Sequence, residues 1–305
     1  MPQHYHTLGA VHLNSAWLTI GVFDGIHRGH QQIIHKLTAG AHQNGAPAVV
    51  LTFDPHPAFV LAGRKIPCLT TPDERSALLI DMGVDAVINM EFTPALAEHS
   101  AEDFMADLKR HLGLSKLLIG YDFALGKNRS GNFERLSQLG LQLDYQVMVV
   151  DPYRYNNQVI SSTLIRQTIA QGAVSLAAQK LGRNYSVTGT IVPGDGRGRT
   201  IGIPTANLDI SPAKAFPLNG VYACWALTNS GRFRAVVNIG LRPTFTSGEV
   251  LPRVEAHLLD YKADLYGQNV SLEFVERLRD EQKFPSVDAL INQIQADITT
   301  ARKLL

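Results

Sequence analysis

The rhythm of apolar and polar positions changes near residue 183. Before it, short and mostly apolar runs at Leu18–Phe23, Ala48–Phe53, Ala86–Met90, Lys116–Ile119 and Gln146–Val150 predict strands, with helical periodicity between them. Thr71-Pro72-Asp73-Glu74 is a capping box with proline at the first helical position, and Ser100-Ala101-Glu102-Asp103 opens another helix the same way. Strand and helix in alternation predict a parallel sheet covered on both faces, with ligands at the carboxyl ends of the strands. Beyond Gly182-Arg183-Asn184 the pattern becomes short strands separated by turns: Tyr185–Val192, Val221–Leu227, Phe233–Ile239, Val254–Leu259 and Val270–Val275. Leu290, Ile294, Ile298 and Ala301 then mark one stripe of a closing helix that starts at Ser286. The pattern predicts an α/β domain over 1–182 and a small antiparallel barrel or sandwich over 183–305.

Composition leaves that picture intact and narrows the setting. The 305 residues suffice for two cores; the 45% hydrophobic and 18% charged fractions are ordinary for globular chains. A formal net charge of +1 gives no basic field, so no nucleic-acid partner is expected. Cys68 and Cys224 form no Cys-x-x-Cys, there is no signal-peptide pattern, and no apolar stretch reaches the ~18 residues of a membrane span. These features predict a cytoplasmic protein without membrane association, a monomer or transient homo-oligomer.

Three loops of the first half carry unusual chemistry. Gly21-Val22-Phe23-Asp24-Gly25-Ile26-His27-Arg28-Gly29-His30 joins a strand to a helix start, where unpaired N–H groups attract phosphate and two imidazoles could donate to phosphoryl oxygens. The same pair could be structural or half of a metal site, although no further ligand stands at suitable spacing. Asp54-Pro55-His56-Pro57 is stiffened by two prolines and reads as a wall for a planar ligand or as a rigid exposed loop. Tyr121-Asp122-Phe123 and Lys127, Arg129 lie among three glycines in Gly120–Gly131. This is no P-loop: the glycine gap is one residue too long and Asn128 stands where Ser or Thr is needed. A phosphate-contacting loop and a solvated loop both remain open. Further on, Ser161, Ser162, Thr163 and Arg166 form either a redundant helix cap or a second anion site. Two such helix starts in one domain suit a triphosphate.

In the second half, Gly194, Gly196, Arg197 and Gly198 suit a backbone cradle for phosphates, or a surface loop. Thr205 and Asn207 face the same way on an extended segment and could give Mg²⁺ two oxygen ligands. Glu255, in an otherwise apolar strand, is either an outward solvated residue or a general base aimed into the barrel mouth.

Gly-x-Phe-Asp-Gly-x-His-x-Gly-His resembles the signature of the HxGH nucleotidyltransferases. The ordered set of Gly21–His30, Asp54–Pro57, Gly120–Gly131, Ile160–Arg166, Pro204-Thr205-Ala206-Asn207 and Val254-Glu255 resembles the bacterial bifunctional riboflavin kinase/FAD synthetase family over almost the whole chain. That resemblance implies a Rossmann-like nucleotidyltransferase domain and a β-barrel kinase domain closed by a helix. It implies phosphorylation of riboflavin to FMN with Mg·ATP by the second domain. The first domain would join FMN to AMP from ATP, giving FAD and pyrophosphate. By resemblance, His27 and His30 stabilise the transferring phosphoryl group in the first domain. Gly21, Phe23, Asp24, Gly25, Gly29, Ser161, Ser162, Thr163 and Arg166 complete its ATP site. Asp54, Pro55, His56, Pro57, Tyr121, Asp122, Phe123, Lys127 and Arg129 line its FMN site. In the second, Gly194, Gly196, Arg197, Gly198, Thr205 and Asn207 hold ATP, Thr205 and Asn207 its magnesium. Glu255 is the base, and Asn238, Arg242 and Arg279 contact flavin. Two positions depart from the family pattern: Ile203 stands where Phe is common, and Ala124-Leu125 where Arg-Phe is common. The rival readings are an enzyme with only its kinase half active, another HxGH transferase acting on a pantetheine or nicotinate nucleotide, and a non-catalytic flavin-binding regulator.

Overall fold

The computed structural model describes residues 3–194, 196–243 and 250–305, and the side chains among them except those at 197, 199, 241–243, 250 and 251. Packing divides the chain into two compact units, Met1–Ser162 and Thr163–Leu305.

The first unit is built on six parallel strands: β1 (Gln3–Tyr5), β2 (Trp17–Ile20), β3 (Ala48–Asp54), β4 (Ala86–Glu91), β5 (Lys116–Gly120) and β6 (Gln146–Val150). Their order is β1-β4-β3-β2-β5-β6. The helices between them are α1 (Arg28–Gln43), α2 (Pro57–Ala62), α3 (Pro72–Asp81), α4 (Pro94–Ala97), α5 (Ala101–Leu112) and α6 (Phe133–Leu143). Alternate strand residues feed two cores. Leu18, Ile20, Val49, Leu51 and Ile88 pack with Met105, Leu108 and Leu136 of α5 and α6. Trp17, Val50, Val87 and Leu118 pack with Ile34, Leu37 and Leu79 of α1 and α3. Burial on both faces explains why these strands read as uninterrupted apolar runs. Each fully buried Leu or Ile contributes about 1.5–3 kcal/mol. The expected capping box at Thr71 and Glu74 is formed in both directions, and Ser100 caps α5, which ends at Gly113. A two-stranded hairpin, β7 (Arg154–Tyr155) with β8 (Gln158–Val159), precedes the end of the unit.

Two sequence expectations differ here. The first strand stops at Ile20, not Phe23: Phe23 and Ile26 are buried in the loop, so apolar residues that serve the turn lengthened the apparent strand. The edge strand β1 was missed because it is only three residues, two of them exposed.

In the second unit, α7 (Ser162–Ala170), which begins on the last residue of the first unit, and α8 (Val174–Leu181) precede a closed barrel. Its strands are β9 (Tyr185–Val192), β10 (Ala206–Ile210), β11 (Gly220–Thr228), β12 (Gly231–Pro243), β13 (Val250–Leu258) and β14 (Asn269–Arg279). They follow the order β10-β13-β12-β11-β14-β9, antiparallel throughout, and β9 pairs β10 to close the ring. A single turn, α9 (Arg197–Thr200), precedes β10, and α10 (Val287–Leu304) follows β14. Tyr222, Cys224, Val237, Val254, Ala256 and Phe274 are buried on one set of alternating positions. On the other set, Val221, Ala223 and Val236 pack against Ala301 and Ile298 of α10. The helix covers an outer wall of the barrel, as its apolar stripe requires.

The sequence placed five strands here; β10 is the sixth. The helices α7 and α8 lie with the barrel unit: the Leu218 N–H donates to Ile169 O at 3.3 Å, and α8 packs on β9 and β14.

Candidate active sites

In the first unit the chain leaves β2 to β3 on one side, while β5 lies on the other. The three loops singled out in the sequence follow these three adjacent strands, where the strand order reverses and parallel sheets bind ligands. The turn after β2 is held in rarely populated backbone: φ is +50° at Phe23, +80° at Gly25 and +39° at Ile26. For non-glycine residues this is strain, the kind retained at functional sites. Neighbours fix it. The buried Asp24 carboxylate accepts the Leu69 N–H at 2.8 Å and the Thr70 N–H at 3.0 Å; Gly25 N–H donates to Thr70 Oγ1. Ser162 Oγ donates to Asp24 O at 2.8 Å. Asp24 and Ser162 thus brace the turn.

His27 caps α1, its Nδ1 accepting the His30 N–H at 3.3 Å. That bond assigns the ring proton to Nε2. The two imidazoles stack, centroids 3.6 Å apart at 19°, and Phe23 meets His30 edge-on. His30 Nδ1 is buried without a hydrogen-bond partner among the described residues, although the residue as a whole is half-buried. Burial first, then the His27 ring and the Arg75 guanidinium, pushes His30 well below the usual imidazole range. His30 is a neutral imidazole at neutral pH.

Asp54 ends β3, the Asp54–Pro55 peptide is cis, and His56 caps α2 through Nδ1. Buried Arg75 of α3 donates to Phe53 O and thereby holds the end of β3. In the loop after β5, Tyr121 is exposed, Asp122 O accepts from Arg129 at 2.9 Å and Lys127 pairs with Glu98 at 2.6 Å. Both cations expected to meet phosphate are engaged by protein groups. Thr163 and Arg166 belong to the second unit, where Arg166 Nη2 reaches Thr163 Oγ1 at 3.4 Å on one face of α7.

In the second unit the register writes one transverse row across five strands. Asn207 lies opposite Glu255, Glu255 opposite Asn238, Asn238 opposite Val221 and Val221 opposite Arg279. Directly opposed antiparallel residues share a face, and Val221 fixes it as the wall under α10. Glu255 therefore stands on the outer wall, the outward one of the two placements that the sequence left open. Arg253, Glu255 and His257 of β13 turn outward while Val254 and Ala256 fill the interior. A cavity of ≈ 370 Å³ opens over the row, lined also by Thr205, Gly198, Phe284 and Ile294. Gly194 allows this arrangement: a Cβ there would lie 2.1 Å from Asn207 Nδ2. A second cavity of ≈ 520 Å³ shares Thr205 and is lined by Tyr261, Leu265 and Tyr266.

Several lining residues escaped the sequence reading. Arg253, two before Glu255 on the same face, donates to Asn207 Oδ1 and pairs with Glu255. His257 Nδ1 donates to Pro204 O at 2.7 Å and steadies the approach to Thr205. Glu281 accepts from Asn238 Nδ2. Asp297, 5% exposed on α10, accepts three bonds from Arg279, which also lies over the Phe284 ring. Arg279 thus lines the cavity as an anchored residue. The alternation that exposed Glu255 also marks Arg253, and one acid within an apolar stripe marks Asp297. Among the sequence candidates, the side chains of Arg197 and Arg242 lie outside the described residues.

Comparison with known proteins agrees with this division. Residues 10–164 match the FAD synthetase family and residues 181–305 the riboflavin kinase family. The bifunctional riboflavin kinase/FMN adenylyltransferase of Escherichia coli (strain K12) is 36% identical over 301 residues, 98% of this chain and 95% of that protein. The protein of the same description from Haemophilus influenzae is 37% identical over 293 residues, 95% of this chain and 94% of its own. A solved structure titled as a macrolide-efflux protein from Streptococcus pneumoniae is 31% identical, covers 98% of both chains and superposes with a TM-score of 0.89. Among the described residues of this chain, no helix is long and apolar enough to cross a membrane. Two family matches in sequence, and relatives aligned end to end, place this chain in the bifunctional riboflavin kinase/FMN adenylyltransferase family.

Proposed function

We propose that the chain carries out two phosphorus-transfer reactions at separate sites, with the functional boundary at 182/183. The chain phosphorylates riboflavin to FMN and adenylylates FMN to FAD, as its family membership states. In our reading the barrel unit performs the first reaction. The row Asn207–Glu255–Asn238–Val221–Arg279 over one cavity is the observation that carries it. The isoalloxazine occupies the ≈ 370 Å³ cavity beside Phe284 and Ile294, and the adenine the ≈ 520 Å³ cavity beside Tyr261 and Tyr266; their phosphate junction lies at Thr205. Glu255 accepts the proton of the flavin 5′-hydroxyl as that oxygen attacks the γ-phosphorus, and the bond to the ADP oxygen breaks.

Magnesium fits the donor set. Thr205 and Asn207 offer neutral oxygens at the same cavity, and Asn207 Oδ1 already faces a cation, the Arg253 guanidinium. When bound, Mg²⁺ would neutralise charge on the transferring phosphate.

In the first unit, an FMN phosphate oxygen attacks the ATP α-phosphorus and pyrophosphate leaves. The nucleophile is already an anion, so no base is required. His27 Nε2–H and the helix-start amides of α1 donate to the charge that develops. His30, neutral and stacked, holds His27 in place without adding a repelling charge. The Asp54–Pro57 and Tyr121–Phe123 loops border the flavin, and Ser161 contributes to polyphosphate binding. The substrates of both reactions are small molecules.

A second reading, in which only the kinase half turns over, draws on Lys127 and Arg129 being engaged within the protein. Paired variants test the division. Glu255→Gln should lower FMN formation about 10²- to 10⁴-fold while FAD formation from supplied FMN survives; His27→Ala should do the reverse. Equal loss of both activities in either variant contradicts separate sites.

A further inference from the structure

We propose that Arg253 is a resident cation on Asn207 that the metal–nucleotide must displace, so that this side chain sets the metal requirement of the kinase site. The inference rests on the reading of Thr205 and Asn207 as the metal-binding pair. Arg253 directs two donors of one guanidinium at a single oxygen, Nε at 3.1 Å and Nη2 at 3.0 Å from Asn207 Oδ1. The same Nη2 lies 2.8 Å from Glu255 Oε1. A guanidinium has no acceptor, so the atom facing it is the amide oxygen, the atom a hard cation would take. Close packing against Gly194 holds the other end of that amide. Arg253 therefore spans the proposed metal ligand and the proposed base, with its charge at the point where the nucleotide's cation would sit.

Neither side chain is locked away: Arg253 is 29% exposed and Glu255 26%. Both line the open cavity, so the guanidinium can leave when a stronger cation arrives. A site closed by its own side chain binds with an affinity reduced by the fraction of time it is open. Removing the side chain then has an unusual sign. Loss of a purely structural contact would leave metal binding unchanged or weaken it; loss of a competing cation tightens it.

The test uses Mn²⁺ at saturating ADP without riboflavin, read by electron paramagnetic resonance in the full chain, so that no turnover is needed. Arg253→Met should bind Mn²⁺ about fivefold more tightly than wild type, the scale of a partly exposed charged contact. Arg253→Lys keeps the charge but loses the two-donor fork, and should fall between them; it also guards against a Met variant that fails to fold. Asn207→Leu should lose the bound Mn²⁺. Met or Lys variants that bind no tighter than wild type overturn the proposal. So does tightening in Met with none in Lys, which would reveal simple charge repulsion. Mn²⁺ binding that survives Asn207→Leu overturns the metal-site reading itself, and the proposal with it.

Discussion

At the level of single residues, the His27/His30 pair shows how a motif becomes geometry. Spacing of three along a helix start put both imidazoles at one mouth, and that much was legible. The stacking, the N-cap bond to His27 Nδ1 and the buried His30 Nδ1 were not, because they depend on Phe23, Arg75 and the strained turn. The depressed His30 pKa has a measurable sign. Between its lowered folded value and the ordinary ~6.5 of the unfolded chain, only the unfolded state binds the proton. The contribution is therefore whole above about pH 6.5 and is lost as pH falls toward the folded value. Denaturation at pH 7.5 and 5.5 should show wild type losing more stability than His30→Asn, by at most about 1.4 kcal/mol per pH unit. Parallel losses would contradict the buried, neutral assignment. Arg253, Glu281 and Asp297 illustrate the converse: alternation tells which face a residue takes but not which partner it meets.

At the level of elements, the parallel strands were legible because burial on both faces writes unbroken apolar runs, and the helix starts because Thr71 and Ser100 carry local capping chemistry. β10 was not: Asn207 and Asp209 flank Leu208 in a five-residue strand, behind a lead-in of glycines and a proline that reads as loop. Its identity as a strand is fixed only by pairing with β9 and β13. The closing helix α10 was expected from its apolar stripe, but its anchor is polar. Asp297→Ala removes one partner of a largely buried ion pair and should destabilise the barrel unit by about 3 kcal/mol, measured by thermal unfolding, with kinase activity falling and FAD formation from supplied FMN retained. An unchanged melting profile would show that Arg279 does not hold α10 to β14. In the first unit, Leu37→Ala in α1 should cost about 2–5 kcal/mol and reverse that pattern of loss.

For the whole molecule, the change of rhythm near residue 183 identified two architectures, while packing divides the chain at 162/163 because α7 and α8 lie with the barrel unit. Sequence rhythm records fold type; packing records which surfaces a connecting helix covers. Separate sites imply that FMN made by one chain can serve another. Equal amounts of Glu255→Gln and His27→Ala protein, each unable to make FAD from riboflavin, should together restore it, as followed by flavin chromatography; a mixture that stays inactive would contradict free passage of FMN. The central claim, two complementary reactions in one chain, is tested most directly by supplying wild-type protein with riboflavin, ATP and Mg²⁺ and resolving the flavins over time. FMN should appear first and FAD follow at its expense. FMN that accumulates without FAD, or riboflavin that is never consumed, would contradict it.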